Sequence, residues 1–164
     1  MEDSWRSIIA SALDWQEAHL GFDDAVDGLD TESRGRRPGS YPHSPWELIE
    51  HIRIAQADLL RFMDDPDYEP PAWPHDYWPA SPEPPSAAAW DESVSAVRRD
   101  RERLREIALR PALDLSDAIP WGAGKTYLRT VLLAIDHTAY HVGQLIAVRR
   151  LLGAWPQRQS GGPA

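Results

Sequence analysis

The longest helical pattern of the chain lies between Trp121 and Trp155. Within it, apolar side chains recur at steps of three and four, which is the period of an α-helix with one buried stripe. The stripe consists of Leu128, Leu132, Ile135, Ala139, Val142 and Ile146. Gly153 and Pro156 follow its last turn, as expected where a helix ends. The pattern predicts one long helix over residues 125 to 152.

A second face of this helix also carries apolar side chains. At roughly 100° per residue, His137 and His141 fall about opposite the first stripe. They share their face with Leu133, Gln144, Val148 and Leu151. A helix that is apolar on two sides suits an inner position in a bundle with one further contact, such as a dimer interface. We therefore expect a homodimer.

Residues 3 to about 28 are predicted to form the first helix, because apolar side chains follow helical spacing from Trp5 onward. Gly21 can break or bend this helix, in which case residues 22 to 29 would form a separate turn.

The second helix has the strongest start signal in the chain. Ser44 can accept a hydrogen bond from the backbone N–H of Glu47, and Glu47 can reach back to Ser44, which makes a capping box. Pro45 takes the first helical position, where no N–H is needed. We expect this helix to end at about Met63. A third helix is predicted over residues 87 to 109, from the apolar stripe of Trp90, Val94, Val97, Leu104 and Ala108.

The segment from residue 64 to 86 contains eight prolines, which neither a helix nor a central strand tolerates. Four aromatic residues are interleaved with them: Tyr68, Trp73, Tyr77 and Trp78. A flexible linker would not carry so many aromatic side chains, so we expect an ordered loop that covers the bundle. The alternative is a proline-rich ligand for a recognition domain.

Four helices without a convincing strand predict an all-α protein, a four-helix bundle with one long crossing loop between its second and third helices. With 164 residues, the chain is long enough for one domain with a sizeable core. We expect residues 1 to 156 to form that domain and residues 157 to 164 to be a disordered tail.

Composition excludes several classes of function. The net charge of −9 argues against a nucleic-acid partner, because phosphate contacts need clustered Lys and Arg. The chain contains no cysteine, which excludes disulfides, cysteine ligands and a thiol nucleophile of the protein itself. No apolar run reaches the length of a membrane span, and the first residues carry acids where a signal peptide needs basic residues. We therefore expect a cytoplasmic protein with no membrane partner.

The histidines are the candidate metal ligands. His137 and His141 are four residues apart, a spacing that lets one helix give two ligands to one ion, although surface or core histidines show it too. His51 lies on the apolar stripe of the second helix and is the candidate third ligand; the alternative is a satisfied core histidine. His19 is a candidate fourth ligand or pocket residue. We expect His75, in the loop, to be solvated.

Three polar residues are candidates to support such a site. Gln144 shares the histidine face of the last helix and could orient a bound water or substrate. Glu47 and Asp58 lie on the side of the second helix that carries His51, where either carboxylate could accept from an imidazole N–H. The alternative for both is a surface carboxylate.

Three segments carry a family resemblance: HSPWELIEH, which ends at His51; DHTAYHVGQL, which contains His137 and His141; and RRLLGAWP. They resemble the DinB-like superfamily of metal-binding four-helix bundles, and the resemblance covers nearly the whole chain. It implies an up-down-down-up bundle, commonly a homodimer, in which the three histidines bind a divalent metal such as zinc or nickel. It also implies kinship with thiol-dependent transferases that use mycothiol or bacillithiol, including a mycothiol-dependent maleylpyruvate isomerase.

Three neutral imidazoles leave at least one coordination position open, as in catalytic metal sites. Since the chain has no cysteine, the nucleophile would be a low-molecular-weight thiol or a metal-bound water. The first hypothesis is therefore an enzyme acting on a small-molecule substrate, either a thiol-dependent transferase or a hydrolase. The second is a non-catalytic metal-binding or stress-related protein. A di-iron bundle is disfavoured, because the ligand helix lacks a Glu-x-x-His motif.

Overall fold

The computed structural model describes residues 2–15 and 17–156. This part of the chain contains five α-helices and no strand, so the all-α prediction is confirmed. The helices are α1, Glu2–Ala12; α2, Phe22–Val26; α3, Pro45–Asp64; α4, Ala87–Leu109; and α5, Tyr127–Leu151. Two short 3₁₀ turns, Ser33–Gly35 and His75–Tyr77, lie in the connections. The prediction of a disordered tail concerns residues 157 to 164, which lie outside the described residues.

The single first helix expected over residues 3 to 28 is wrong. Helix α1 ends at Ala12, and α2 is a separate helix that begins after Gly21, where the backbone is extended. The carboxylate of Asp24 accepts a hydrogen bond from the N–H of Gly21 at 3.1 Å, which fixes the start of α2. Glu17 and His19 in the connection are exposed, so continuing α1 through them would have buried little apolar surface.

The start of α3 confirms the predicted capping box. Ser44 Oγ accepts from the N–H of Glu47 at 3.2 Å, and Glu47 Oε2 accepts from the N–H of Ser44 at 2.8 Å. The guanidinium of Arg37 also donates to Glu47, with Nε 2.8 Å from Oε2. The carboxylate of Glu47 is therefore committed to the helix end and to Arg37.

Side-chain contacts give the direction in which the helices pack. Gln56 on α3 bonds Thr138 on α5, whereas Phe62, later on α3, accepts from Trp121, just before α5. Helices α3 and α5 are therefore antiparallel. Contacts between the same ends of α3 and α4 show that these two run parallel, namely Glu50 with Ser93 and Asp64 with Arg103.

Helix α1 packs against α4 in the opposite direction. Arg6, early on α1, donates to the carbonyl of Ala108 near the end of α4 at 3.1 Å. Ala10, later on α1, accepts from Arg105, which precedes Ala108 on α4, at 2.7 Å. The long segment between α3 and α4 is what allows these two consecutive helices to run in the same direction.

Helix α5 buries one wide face instead of the two faces expected from the sequence. Its buried apolar residues are Val131, Ala134, Val142, Leu145, Ile146 and Val148. At roughly 100° per residue, Val131, Ala134 and Leu145 lie between the two predicted stripes, and Val142, Ile146 and Val148 are the members of those stripes that border them. Leu132 and Leu151 lie on the outer borders and are 47% and 65% exposed. Placing Leu132 in the core was therefore wrong.

Helix α5 is long and apolar enough to cross a membrane, with a mean hydropathy of 1.3 over its best window. Core helices of soluble proteins meet the same criterion. Helix α5 packs against α2, α3 and α4, and 33% of that window is buried.

Arg149 is a fully buried arginine at the end of α5 that the sequence pattern did not single out. Its guanidinium donates to the carbonyl of Ala25 in α2 at 2.8 Å and to that of Ala154 at 3.0 Å. It also lies over the ring of Trp155, 4.9 Å from the centroid. Arg149 thus ties α2 and the residues after α5 to the same helix end.

We expect Arg149→Met to lower the free energy of unfolding by about 2–4 kcal/mol, because one buried and one partly buried carbonyl group lose their donor. Urea denaturation measures the change. The neighbouring Arg150 is exposed, so Arg150→Met is the matched control and should change the value by no more than about 0.5 kcal/mol. Equal losses in the two variants would contradict the role given to Arg149.

Candidate metal centre

The antiparallel contact of α3 and α5 brings His51, His137 and His141 together. One ring nitrogen from each lies within 4.8 Å of the others. The ring centroids of His137 and His141 are both within 5 Å of that of His51, at 4.8 and 4.5 Å. His51 and His141 are buried, and His137 is partly buried. The three histidines chosen from the sequence thus form one cluster, without His19 or His75.

Hydrogen bonds fix the tautomers of two of these rings. The Nδ1 of His51 lies 2.7 Å from the carbonyl oxygen of Tyr77, and the Nδ1 of His141 lies 2.8 Å from Gln144 Oε1. Both oxygens can only accept, so each Nδ1 carries the proton and each Nε2 presents a lone pair. Gln144, considered from the sequence as a pocket residue, is therefore the partner of a cluster histidine.

The lone pair of His51 faces a third imidazole. His137 Nε2 lies 3.0 Å from His51 Nε2. Because His51 Nε2 has no proton, these two nitrogens either share the single proton of His137 or face a common cation. Converging neutral imidazole nitrogens are a donor set that divalent zinc and nickel accept. The cluster is therefore a candidate metal centre.

The proline-rich segment lies over this cluster. The indole of Trp78 stacks on the ring of His51 with centroids 3.9 Å apart and planes 2° from parallel. On the other face of the indole, His43 stacks at 4.1 Å and 8°. Imidazole, indole and imidazole thus form one stack, which shields His51 from solvent.

A family model described as the DinB superfamily matches residues 15–145. The chain belongs to the DinB superfamily. The matched residues include all three cluster histidines and Gln144, and the resemblance noted in the sequence is confirmed. No curated protein and no solved structure gives a significant match to the chain.

Burial keeps the histidines of this DinB protein neutral. Burial, followed by the proximity of the His141 and His51 rings, lowers the pKa of His137 to about 4. Burial, followed by the proximity of His51, also lowers the pKa of His141 to about 4. The pKa of His51 is lowered as well, again chiefly by burial. At neutral pH, all three rings are in the form that binds metals.

Asp58 supports the site through the covering loop. Its two carboxylate oxygens accept hydrogen bonds from the hydroxyls of Tyr68 and Tyr77, each at 2.7 Å. Burial and the nearby carboxylate raise the pKa of Tyr77 to about 12, so its hydroxyl remains a donor. The backbone carbonyl of the same Tyr77 accepts from His51. Asp58 therefore orients His51 indirectly, and the direct contact considered from the sequence is not what the structure shows.

The remaining sequence candidates lie elsewhere. Glu47 binds Arg37 and caps α3, as described above. His19 is exposed, with Nδ1 3.0 Å from the carbonyl of Leu20, and it lines a separate cavity. His75 is exposed and pairs with Asp76 at 2.8 Å, as expected for a solvated loop residue.

Sequence reasoning did not single out His43 or Tyr140. His43 reaches the site through its stack on Trp78, and the ring of Tyr140 lies edge-on to His141 with centroids 4.9 Å apart. The only sequence signal for Tyr140 is its place directly before His141. The only sequence signal for His43 is its place in the HSPW segment. That segment predicts the start of a helix and does not predict an aromatic stack.

The lowered histidine pKa values predict a pH dependence of stability in the metal-free protein. Above pH 6.5 the folded and unfolded states are both neutral at these rings. Between about 6.5 and about 4 the unfolded chain binds protons that folded His137 and His141 do not, so the free energy of unfolding falls as the pH falls.

Urea denaturation with chelator at several pH values measures this slope. We expect His137→Gln to make it shallower, and His75→Gln, which changes an exposed histidine, to leave it as in the wild type. The same slope in all three proteins would contradict the assignment to the cluster.

Proposed function

We propose that the protein binds one divalent metal ion, zinc or nickel, through His51, His137 and His141. The observation that carries this proposal is the convergence of their ring nitrogens, with Nδ1 of two rings occupied by fixed acceptors. Membership of the DinB superfamily supports it. The buried cluster also favours a cation on physical grounds, since it would replace the water that the three rings have lost.

Replacing any of the three ligands with Ala should remove the metal from the purified protein, because two imidazoles bind far more weakly than three. Elemental analysis after dialysis measures the stoichiometry, and circular dichroism checks that each variant is folded. His75→Ala is the matched control and should keep one equivalent. A His51→Ala protein with one equivalent at unchanged affinity would contradict the triad.

The proposed role is that of a metal-dependent enzyme that transfers a low-molecular-weight thiol to a small electrophile. When bound, a divalent ion would lower the pKa of a thiol or water and polarise a carbonyl oxygen. Among the described residues, Trp78 and Tyr140 make ring contacts with the three imidazoles and Gln144 makes a hydrogen bond with one of them, and none of the three is an ordinary nucleophile. With no cysteine in the chain, the nucleophile has to come from a small molecule.

The residues around the cluster would then bind and orient. Gln144 holds the His141 ring through Nδ1 and keeps its lone pair aimed at the cluster. Tyr140 is 63% exposed beside His141 and offers a ring face and a hydroxyl to a bound molecule. Trp78 excludes water from one side of His51. Metal-dependent hydrolysis and a non-catalytic role are the alternatives that the test must separate.

We expect metal-loaded protein to accelerate the addition of a mycothiol-like, bacillithiol-like or glutathione-like thiol to an electrophile. Adduct formation, followed by mass spectrometry, should return to the background rate with chelator and with His137→Ala. His75→Ala should keep the wild-type rate. Metal-dependent ester or amide hydrolysis without any thiol effect would establish the hydrolase instead. Inactivity of fully metallated protein in both assays would favour the non-catalytic role.

We also propose the order of the helices in the bundle and the way in which two copies pair. The contacts described above, antiparallel for α1 with α4, parallel for α3 with α4 and antiparallel for α3 with α5, support an up-down-down-up four-helix bundle that forms one domain.

In this arrangement one face of α5 is exposed, with Leu132, Tyr140 and Leu151 on it. We propose that two copies pair through this face in a cytoplasmic homodimer.

Light scattering at micromolar concentration should give about twice the 18.5 kDa chain mass. Leu151→Glu would place a charge on the exposed face and should give a monomer, whereas Leu109→Glu, exposed at the end of α4, should leave the dimer intact. A wild-type monomer would contradict the proposal.

A further inference from the structure

Two buried side-chain polar atoms have no hydrogen-bond partner among the described residues, Gln56 Oε1 and Arg101 Nε. Gln56 is only 2% exposed and Arg101 only 8%. Buried polar atoms of this kind are rare, because leaving one unpaired is costly. Both residues line the same cavity. The two unpaired atoms therefore point to one common occupant.

The cavity has a volume of about 90 Å³ and lies where α1, α3, α4 and α5 meet. Its walls are mostly apolar and include Leu13, Phe22, Val97, Ile135 and Val142. It adjoins both apolar cores, since Phe22 and Val97 belong to one and Leu13 to the other. The exposed residues Trp15 and His19 also line it and leave a route to solvent.

The cavity is separate from the metal centre. Ile135, Thr138 and Ala139 line the cavity from α5. At roughly 100° per residue, Ile135 lies about 160° from His137 on that helix and Ala139 about 160° from His141, whereas Thr138 lies about 60° from His141. None of the three cluster histidines is among the residues that line the cavity.

The charges around the cavity favour a neutral occupant. The guanidinium of Arg101 already binds two carboxylates, Asp14 at 3.0 Å and Asp23 at 2.9 Å. An anion would meet the carboxylates of Asp14 and Asp23, which already neutralise Arg101, and Asp23 also pairs with Arg98 at 2.6 Å. The Nε of Arg101 is 4.0 Å from Glu102, beyond hydrogen-bond distance, and is left as a donor. Gln56 bonds Thr138 through Nε2 at 3.2 Å and leaves its amide oxygen as an acceptor.

A hydroxyl group matches these two atoms, because it donates one hydrogen bond and accepts others. The volume equals that of about three water molecules in the liquid, at roughly 30 Å³ each. We propose that this cavity is a binding site for a small neutral molecule with an apolar body and one hydroxyl group. The hydroxyl donates to Gln56 Oε1, and the body fills the apolar walls.

The test compares two isomers of the same size in NMR titrations of the full chain. 1-Butanol can donate a hydrogen bond, whereas methyl propyl ether can only accept. We expect 1-butanol to give saturable shifts of the Gln56 side-chain amide and of the backbone amides of Thr138 and Ala139. The ether should bind at least about fivefold more weakly, as expected for one lost hydrogen bond.

Two variants locate the effect. Gln56→Leu keeps similar volume without the amide, and should bind the alcohol no better than the ether. Ala139→Leu fills the cavity and should bind neither. Both should retain the wild-type metal content, so a failure here is distinguishable from a failure of the metal proposal.

Three results would overturn the inference: no saturable binding of 1-butanol to the wild type, which would leave the cavity to ordered water; equal affinity for the two isomers; or an unchanged preference in Gln56→Leu. If Gln56→Leu does not fold, the comparison of isomers on the wild type and on Ala139→Leu decides the question.

Discussion

The contact between α3 and α5 is the constraint on which the rest of the structure depends. Because these helices are antiparallel, His51, early on α3, meets His137 and His141, in the middle of α5. This contact removes water from three imidazoles that lie within a few ångströms of one another. The desolvation favours their neutral forms. Everything packed around the cluster either supplies the missing hydrogen bonds or keeps water away. The same contact therefore organises the core and prepares the candidate metal centre.

The proline-rich covering loop has no α-helix or strand, yet several side-chain contacts fix its position on α3. Its prolines prevent an α-helix or a strand, but its aromatic residues give it four fixed attachments to α3. Asp58 accepts from the hydroxyls of Tyr68 and Tyr77, the carbonyl of Tyr77 accepts from His51, and Trp78 stacks on the same imidazole. Since each attachment restricts the others, the loop acts as part of the site. A histidine held at Nδ1 by a backbone carbonyl has its Nε2 oriented before any ligand arrives.

The core is apolar at both ends and polar near its middle. Gln56, Arg101 and Thr138 line a cavity that adjoins both apolar clusters and that none of the three cluster histidines lines. Arg101 is balanced by acidic side chains from the α1–α2 region, and Arg149 is balanced by backbone carbonyls, so both arginines also connect helices. Buried polar groups of this kind restrict the packing to one arrangement, because a shifted helix would leave them unpaired. The cavity beside Gln56 is where this pairing remains incomplete.

Local signals in the sequence determined much of this protein. The Ser44–Glu47 capping box, the limits of α4, the proline-rich break and the three histidines all follow from spacings of a few residues, which depend on the geometry of one helix or one turn. Tertiary structure decided the rest. Where α1 ends, which edge of the apolar face of α5 is buried, and why Arg149 lies in the core all depend on distant partners. Asp14 pairs with Arg101, 87 residues away; Thr138 bonds Gln56, 82 residues away; and Arg149 bonds Ala25, 124 residues away. The stack of His43, Trp78 and His51 likewise joins three separate segments. Burial and pairing between distant segments are set by how helices pack, and periodicity along a single helix carries no information about its neighbours.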